Sequence, residues 1–93
     1  MKLIAEKIFK KAFKRVIKKN PRLEKKIFAV LDLLEIDPFT PSLKSHKLTG
    51  NLANFWSCSV TYDCRIIFTF SNETGLSEVV IILIDIGTHE EVY

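Results

Sequence analysis

Hydrophobic residues near the start of the chain recur as pairs spaced four positions apart. The pairs are Ile4-Ala5, Ile8-Phe9, Ala12-Phe13 and Val16-Ile17. This spacing puts them on one stripe of a helix and leaves the intervening lysines on its other faces. Residues 1–5 also fit a short edge strand that leads into the helix, and the local pattern does not decide between the two.

A second helical stripe follows the dipeptide Asn20-Pro21. Asparagine favours the N-cap and proline favours the first helical position, so we expect the second helix to begin there. Proline cannot continue a helix, so Asp37-Pro38 predicts its end. The apolar residues of this stripe are Leu23, Ile27, Val30, Leu31 and Leu34. The two amphipathic segments therefore predict a helical hairpin whose stripes face a core.

The hydrophobic period changes to two in the second half of the chain. Residues 38–51, which precede it, hold two prolines and Gly50 without periodicity, and this indicates a long loop. Predicted strands then lie at 52–60, 65–70 and 79–86, separated by turns at 61–63 and 71–75. The last strand is apolar on nearly every residue, which is typical of a central strand covered on both faces. Gly87 is predicted to end it and to leave a polar tail.

These elements predict one α+β domain over residues 1–93, with the hairpin packed on a small antiparallel sheet of three to four strands. The 47% hydrophobic and 27% charged residues are ordinary for a globular chain and argue against disorder. No apolar run approaches the roughly 18 residues of a membrane span, and charges interrupt every candidate signal-peptide core. Two cysteines are too few for a disulfide framework, so we expect a cytoplasmic protein.

Charge divides the chain into two unequal parts. Residues 1–26 carry 11 Lys or Arg and two acidic residues, a net charge of +9. Residues 27–93 carry three Lys or Arg and nine acidic residues, a net charge of −6. A basic segment suits a polyanion, to which binding depends on salt through counterion release. A solvated lysine-rich helix face explains the charge equally well. A helix lying on a membrane surface is less favoured, because the second helix offers a matching apolar stripe.

The sequence signatures of metal and nucleotide sites are absent from the chain. His46 and His89 lie far apart, and neither Cys58 nor Cys64 has a partner at metal-ligand spacing, so we expect no metal and no cofactor. The two cysteines flank the predicted turn at 61–63 and fit buried thiols better than a redox pair.

Polar residues collect instead at strand ends and in the long loop. They are His46 and Lys47 in the loop, Asp63 in the turn, Arg65 on the next strand, and His89 and Tyr93 in the tail. In an antiparallel meander the turn and the tail can meet, with the loop closing over both. Imidazoles exchange protons near neutral pH, arginine stabilises charge on phosphate, and an aromatic ring stacks on a base. The set suits phosphodiester cleavage, although surface histidines and a turn aspartate are also common without any such role.

Three segments of the chain carry a resemblance to a known family. They are P-F-T-P-S-L-K-S-H-K-L-T-G at 38–50, W-S-C-S-V with D-C-R-I-I-F at 56–60 and 63–68, and L-I-D-I-G-T-H-E-E-V-Y at 83–93. Together they resemble the RelE/ParE superfamily of bacterial toxin–antitoxin toxins, and within it the YafQ-like branch of RelE-type mRNA interferases. The loop H-K-L-x-G and the tail G-T-H-x-x-x-Y are the more specific parts.

The resemblance implies a RelE-like fold, a helical hairpin on a twisted antiparallel sheet, and a ribosome-dependent endoribonuclease that cuts mRNA by metal-independent 2′-hydroxyl transesterification. His46, Asp63, His89 and Tyr93 match the family's loop histidine, turn aspartate, catalytic histidine and terminal aromatic residue, and Arg65 matches a phosphate-binding arginine. The implied partners are an antitoxin protein, the ribosome and mRNA, without membrane or small-molecule cofactor. The expected RNA-binding residues are Lys10, Lys11, Lys14, Lys44 and Lys47.

Two positions depart from the YafQ-like pattern. Ser59 stands where these toxins have a further histidine on the strand before the turn, and Cys64 stands where a tryptophan often follows the turn aspartate. The division of acid and base roles between His46 and His89 therefore stays open. Two other classes of function also remain: a non-enzymatic ParE-like toxin that binds gyrase, and an inactive module that only binds an antitoxin or DNA.

Overall fold

A computed structural model describes residues 1–72 and 78–93 of the chain. Within these residues the structure has three helices and five strands, with two short 3₁₀ turns at Pro41–Leu43 and Gly50–Leu52. The elements are β1 (Lys2–Ala5), α1 (Lys7–Lys19), α2 (Leu23–Ile36), β2 (His46–Lys47), β3 (Trp56–Ser59), β4 (Cys64–Ser71), β5 (Val80–Thr88) and α3 (His89–Val92). The predicted α+β architecture, with two long helices against one sheet, is confirmed.

The sheet has five strands, in the order β1-β5-β4-β3-β2, where three to four were expected. The additional strands lie at its two edges. Residues 2–5 form β1, which pairs with β5 in parallel. Of the two alternatives for the start of the chain, an edge strand or part of the first helix, the structure thus has the edge strand. The two-residue strand β2 pairs antiparallel with β3 inside the segment that the sequence indicated as a loop. Strands this short carry too little periodicity to be recognised locally.

Both predicted helical stripes face the core, except that the first pair, Ile4-Ala5, belongs to β1 and Ile8 is exposed. Phe9, Ala12 and Val16 of α1 are buried, as are Ile27 and Leu34 of α2. At this spacing an amphipathic helix buries one stripe against the sheet and leaves its charged residues in water. The core is thus assembled from these stripes and from the face of the sheet beneath them.

The junction between the helices differs from the prediction by two residues. Asn20 ends α1 rather than starting α2, because its backbone N–H donates to the Val16 carbonyl oxygen at 2.9 Å. Its backbone, with a φ of −144° and a ψ of 85°, is no longer helical. Pro21 lies in a turn, and α2 begins at Leu23 and ends before Asp37, where the sequence placed its end.

The two faces of the sheet have different surroundings. The face covered by the helices carries Cys58, Ile66, Phe68 and Ile86, which belong to the main core. Strand alternation turns the residues between them to the opposite face.

Both cysteines are buried and unpaired, as predicted. Burial raises the pKa of the Cys58 thiol to about 12 and that of the Cys64 thiol to about 11.

The end of the chain departs most from the prediction. β5 lies between β1 and β4, which confirms an interior strand, but Gly87 does not end it and pairing continues to Thr88. The polar tail then forms the one-turn helix α3. The turn predicted at 71–75 falls mostly on residues 73–77, outside the described residues. No helix in the described part of the chain is long and apolar enough to span a membrane.

Candidate active site

Arg65 lies on the face of the sheet that the helices do not cover. In the sheet register it stands between Ser59 of β3 and Gly87 of β5. Its Nη1 donates a hydrogen bond to Ser59 Oγ, and its Nη2 donates to the Tyr62 carbonyl oxygen at 3.2 Å. Its Nε is buried and has no hydrogen-bond partner among the described residues. Ser59, at the position where the resembled family has a histidine, therefore holds the guanidinium in place.

The turn between β3 and β4 is tied down on both sides. The Val60 and Thr61 backbone N–H groups donate to the Cys64 carbonyl oxygen at 2.8 and 3.3 Å. The Cys64 N–H donates in return to Thr61 Oγ1 at 3.1 Å. These bonds close the turn and leave Tyr62 and Asp63 exposed at its tip, next to Arg65.

The one-turn helix α3 begins with a reciprocal capping box. The Glu91 N–H donates to Thr88 Oγ1 at 3.3 Å, and the Thr88 N–H donates to Glu91 Oε1 at 2.9 Å. Glu91 Oε2 also approaches Arg15 Nε at 3.8 Å and Lys19 Nζ at 4.0 Å. The bond from the Thr88 N–H is the main cause that lowers the pKa of Glu91, and the two cations add to it. The acidic side chain thus joins α3 to the basic end of α1.

Gly87 lets α3 lie close against the sheet. A β-carbon at this position would be 3.0 Å from Glu91 Oε1 and 3.2 Å from Glu91 Cβ. Alanine there would require Glu91, and the helical turn that carries it, to give by a few tenths of an ångström. His89, the first residue of α3, depends on this close approach for its position.

His89, the first residue of α3, and Tyr93, the residue directly after its end, form an aromatic pair. Their ring centroids are 4.3 Å apart, and the ring planes meet at 84°, an edge-to-face contact. The Tyr93 hydroxyl shares a hydrogen bond with Ser57 Oγ, and Ser57 is fully buried. Tyr93 is therefore attached to the third strand while its ring orients the imidazole of His89.

A groove of about 570 Å³ opens where these elements meet. Its lining includes Asp63, Arg65 and His89, together with Tyr62, Thr88 and Glu90. A larger depression of about 780 Å³ lies beside Met1 and Val79, and none of the predicted site residues lines it. The groove at the end of the sheet is therefore the candidate site, with a cation, a carboxylate and an imidazole facing one space.

The other predicted residues lie outside this lining. His46 is exposed on β2, where its register partner is Ser57, and its Nδ1 lies 3.1 Å from the Lys44 carbonyl oxygen. His46 is thus connected to the Tyr93–His89 pair through Ser57 rather than sharing the groove wall. Lys47 is paired with Trp56 and, by strand alternation, faces away from His46. The predicted lysines of α1, Lys10, Lys11 and Lys14, are exposed along that helix.

Several residues of the site escaped the sequence prediction. The spacing T-x-x-E at Thr88 and Glu91 is a capping-box signature that would have revealed α3. Ser57 is fully buried and shares a hydrogen bond with Tyr93, a residue 36 positions away. A contact this distant leaves no local signal.

Comparison with solved structures identifies the class of fold. The YoeB/ParE toxin from Agrobacterium tumefaciens matches with a TM-score of 0.77 and 24% identity, covering 96% of this chain and 99% of that one. YafQ from E. coli strain BL21(DE3) matches with a TM-score of 0.78 and 18% identity, covering 98% and 96%. The E. coli DinJ–YafQ complex matches with a TM-score of 0.76 and 19% identity, again covering 98% and 96%. At these identities the likeness shows the fold, which is that of RelE-like toxins.

The family follows from the sequence itself. The model of the family described as "Bacterial toxin of type II toxin-antitoxin system, YafQ" matches residues 1–93. The chain belongs to this family and is a toxin of the type II class. A comparison with curated proteins found no significant match.

Proposed function

We propose that this toxin is an endoribonuclease that cuts mRNA on the ribosome. The observation that carries the proposal is the shared groove of Asp63, Arg65 and His89, in which a phosphate can meet a cation and an imidazole. The family to which the chain belongs is one of toxins. The resemblance of the sequence to RelE-type mRNA interferases supplies the substrate class. The basic residues 1–26, with a net charge of +9, favour a polyanionic substrate.

The proposed reaction is a transesterification within the RNA backbone. A base removes the proton of a ribose 2′-hydroxyl, the 2′-oxygen bonds to the adjacent phosphorus, and the bond from phosphorus to the 5′-oxygen breaks. A general acid then protonates the 5′-oxygen. The products are a 2′,3′-cyclic phosphate and a 5′-hydroxyl, and the nucleophile belongs to the substrate itself.

His89 is the proposed general acid. It lies in the groove beside Arg65, and its contact with Tyr93 restricts its ring. Proton transfer by a positioned side chain contributes roughly 10²- to 10⁴-fold to a rate. Arg65, whose guanidinium is held by Ser59 and by the Tyr62 carbonyl, neutralises the charge that develops on the phosphorane.

His46 is the proposed base, with Asp63 as a base or orienting group. Base and acid must both reach the same phosphodiester. Because His46 lies on β2 outside the groove lining in the free protein, its role as base requires the scissile phosphate to lie over β3, between His46 and Arg65. Lys44, two residues before His46, contributes positive charge near that position, and Lys47 adds to the charge of the same segment from the opposite face of β2. Tyr93, bonded to Ser57, positions His89.

The proposed protein partner is an antitoxin. A related toxin, E. coli YafQ, has been solved in complex with DinJ. By analogy we propose a small antitoxin whose C-terminal segment wraps the toxin and covers its basic surface. Co-expression of that antitoxin is expected to relieve growth arrest.

The decisive experiment adds purified toxin to translating ribosomes and identifies the ends of the cut mRNA. We expect cuts within codons that leave cyclic phosphate and 5′-hydroxyl ends. His89→Gln is expected to lower the rate at least about 10²-fold, whereas Phe28→Ala, an exposed aromatic substitution on α2, should not change it. An undiminished rate in His89→Gln contradicts the assignment. Gyrase-linked DNA damage, or growth arrest without cut mRNA, contradicts the nuclease proposal.

A further inference from the structure

Tyr62 is the most exposed large hydrophobic residue in the described part of the chain, with 94% of its surface accessible. It lies on the lip of the same groove as Asp63, Arg65 and His89. A single exposed aromatic residue is common on protein surfaces and needs no explanation alone. Here its position beside a candidate phosphate site makes the exposure informative.

The backbone that carries Tyr62 is held in place before any ligand arrives. Its carbonyl oxygen accepts the hydrogen bond from Arg65 Nη2, so the turn and the guanidinium keep a constant relationship. The residues on either side are closed by the bonds between Thr61 and Cys64. A tyrosine on a fixed backbone has only its side-chain torsions left to order, so its ring gains contact area at a small cost in conformational entropy.

Tyr62 and Tyr93 differ in what their rings already contact. Tyr93 packs against His89 and bonds Ser57 through its hydroxyl, so it is engaged within the protein. Among the described residues, the Tyr62 ring takes part in no aromatic contact. Both faces of the Tyr62 ring are therefore available to a planar ligand group. From the sequence we had expected Tyr93 to provide the ring that stacks on a base.

We propose that Tyr62 is a stacking platform for one unpaired base of the RNA, next to the phosphate bound by Arg65. This inference rests on the proposed function, because it places the substrate in the same groove. A π-face accepts any base, so Tyr62 supports binding with little sequence preference. It holds the strand while Arg65 and His89 act on the neighbouring phosphate.

The test uses a short single-stranded RNA that contains one 2-aminopurine and a 2′-deoxy sugar on its 5′ side, which prevents cleavage there. The fluorescence of 2-aminopurine falls when the base stacks on an aromatic ring. We expect wild-type toxin and Tyr62→Phe to quench it, and Tyr62→Ala to bind about 5- to 150-fold more weakly without the quench. Phe28→Ala, an exposed aromatic substitution outside the groove, should behave as wild type.

Cleavage assays on ribosomes supply a second readout. Stacking that is equal in the ground and transition states predicts that Tyr62→Ala raises KM and leaves kcat nearly unchanged. A fall in kcat alone, unaltered RNA affinity in Tyr62→Ala, or equal losses in Tyr62→Ala and Phe28→Ala would each overturn the proposal. The two proposals fail separately: quenching that depends on Tyr62 in a toxin that cuts no mRNA refutes the nuclease and retains the stacking site.

Discussion

The imidazole of His89 rests edge-on against the ring of Tyr93, with 4.3 Å between the ring centroids. The two residues flank a helical turn of only four residues, which His89 begins and Tyr93 follows, and such a turn has little stability of its own. Three other contacts hold that turn: the capping box, the ion pairs of Glu91 with α1, and the bond from Tyr93 to Ser57. The position of the proposed acid is thus determined by the local cap of α3 together with the tertiary contacts of Glu91 and Tyr93.

The hydrogen bond between Ser57 and Tyr93 predicts an asymmetry between two substitutions. Tyr93→Phe leaves the buried Ser57 hydroxyl without a partner and should cost about 1–3 kcal/mol of unfolding free energy. Ser57→Ala leaves the hydroxyl of Tyr93, a residue 40% exposed, free to bond water, and should cost about 0.5–1.5 kcal/mol. Urea unfolding measures both.

The double variant controls for unrelated effects of each change. Because the two residues share one bond, Ser57→Ala with Tyr93→Phe should cost less than the sum of the single changes. Additive costs, or a larger cost for Ser57→Ala, would contradict the hydrogen bond. Tyr93→Phe keeps its ring against His89, so its cleavage rate should exceed that of Tyr93→Ala.

Substitution of two glycines should have different effects: Gly87→Ala should mainly lower the cleavage rate, and Gly50→Ala should mainly lower the unfolding free energy. Gly87→Ala forces a β-carbon to within 3.0–3.2 Å of Glu91, so α3 must shift and cleavage should fall by up to about 10²-fold. Gly50→Ala meets no atom within 4 Å but sits at a φ of +67°, and should cost about 1–2 kcal/mol of unfolding free energy.

Hydrogen exchange and kinetics together distinguish the two glycine variants. The Tyr93 amide, which donates to the His89 carbonyl oxygen at 3.1 Å, should exchange faster in Gly87→Ala and unchanged in Gly50→Ala. If Gly87→Ala retains both full activity and slow exchange, the close approach of α3 has no role in positioning His89.

The parts of the fold with strong periodicity were predictable from the sequence. The apolar stripe of α1 recurs over two or more turns, and apolar residues succeed one another along β5. Patterns of this length were enough to predict the helices and the interior strands. The edge strands β1 and β2 have four and two residues, too few for a period to show. Their pairing is decided by neighbours distant in sequence.

The candidate site was also predictable only in part. Residue chemistry pointed to Asp63, Arg65 and His89, which the fold brings to one groove. Their supporting contacts were not predictable, because the bond of Ser57 to Tyr93 and the ion pair of Arg15 with Glu91 join residues far apart in the chain. Residue chemistry also pointed to His46, but the fold places it on β2, outside the lining of the groove.

The buried cysteines predict a loss of stability in alkali. Burial raises the pKa of Cys58 to about 12 and of Cys64 to about 11, from an ordinary value of 9.0. Because the folded-state values are raised, the neutral thiols contribute fully below pH 9.0 and this contribution is lost as pH rises towards 11 and 12. Unfolding free energies measured from neutral to alkaline pH should show the decline.

Alkylation gives an independent check on the same thiols. At neutral pH the native protein should take up iodoacetamide at neither cysteine, while the unfolded chain should react at both, as intact mass spectrometry would reveal. The decline in alkali should be smaller in Cys58→Ala. Rapid modification of the native protein, or identical alkaline profiles in wild type and Cys58→Ala, would show that burial does not suppress these thiolates.

The basic face of α1 predicts the salt dependence of RNA binding. Lys10, Lys11 and Lys14 are exposed on one helix. If each contacts a phosphate, changing all three to Gln should make the slope of log Kd against log salt shallower by about 2, since each contact to single-stranded RNA contributes about 0.7. A control variant with Gln at Arg22, Lys25 and Lys26 removes the same charge from other exposed positions. Equal slopes in the two variants would mean that net charge, rather than this face of α1, attracts the RNA.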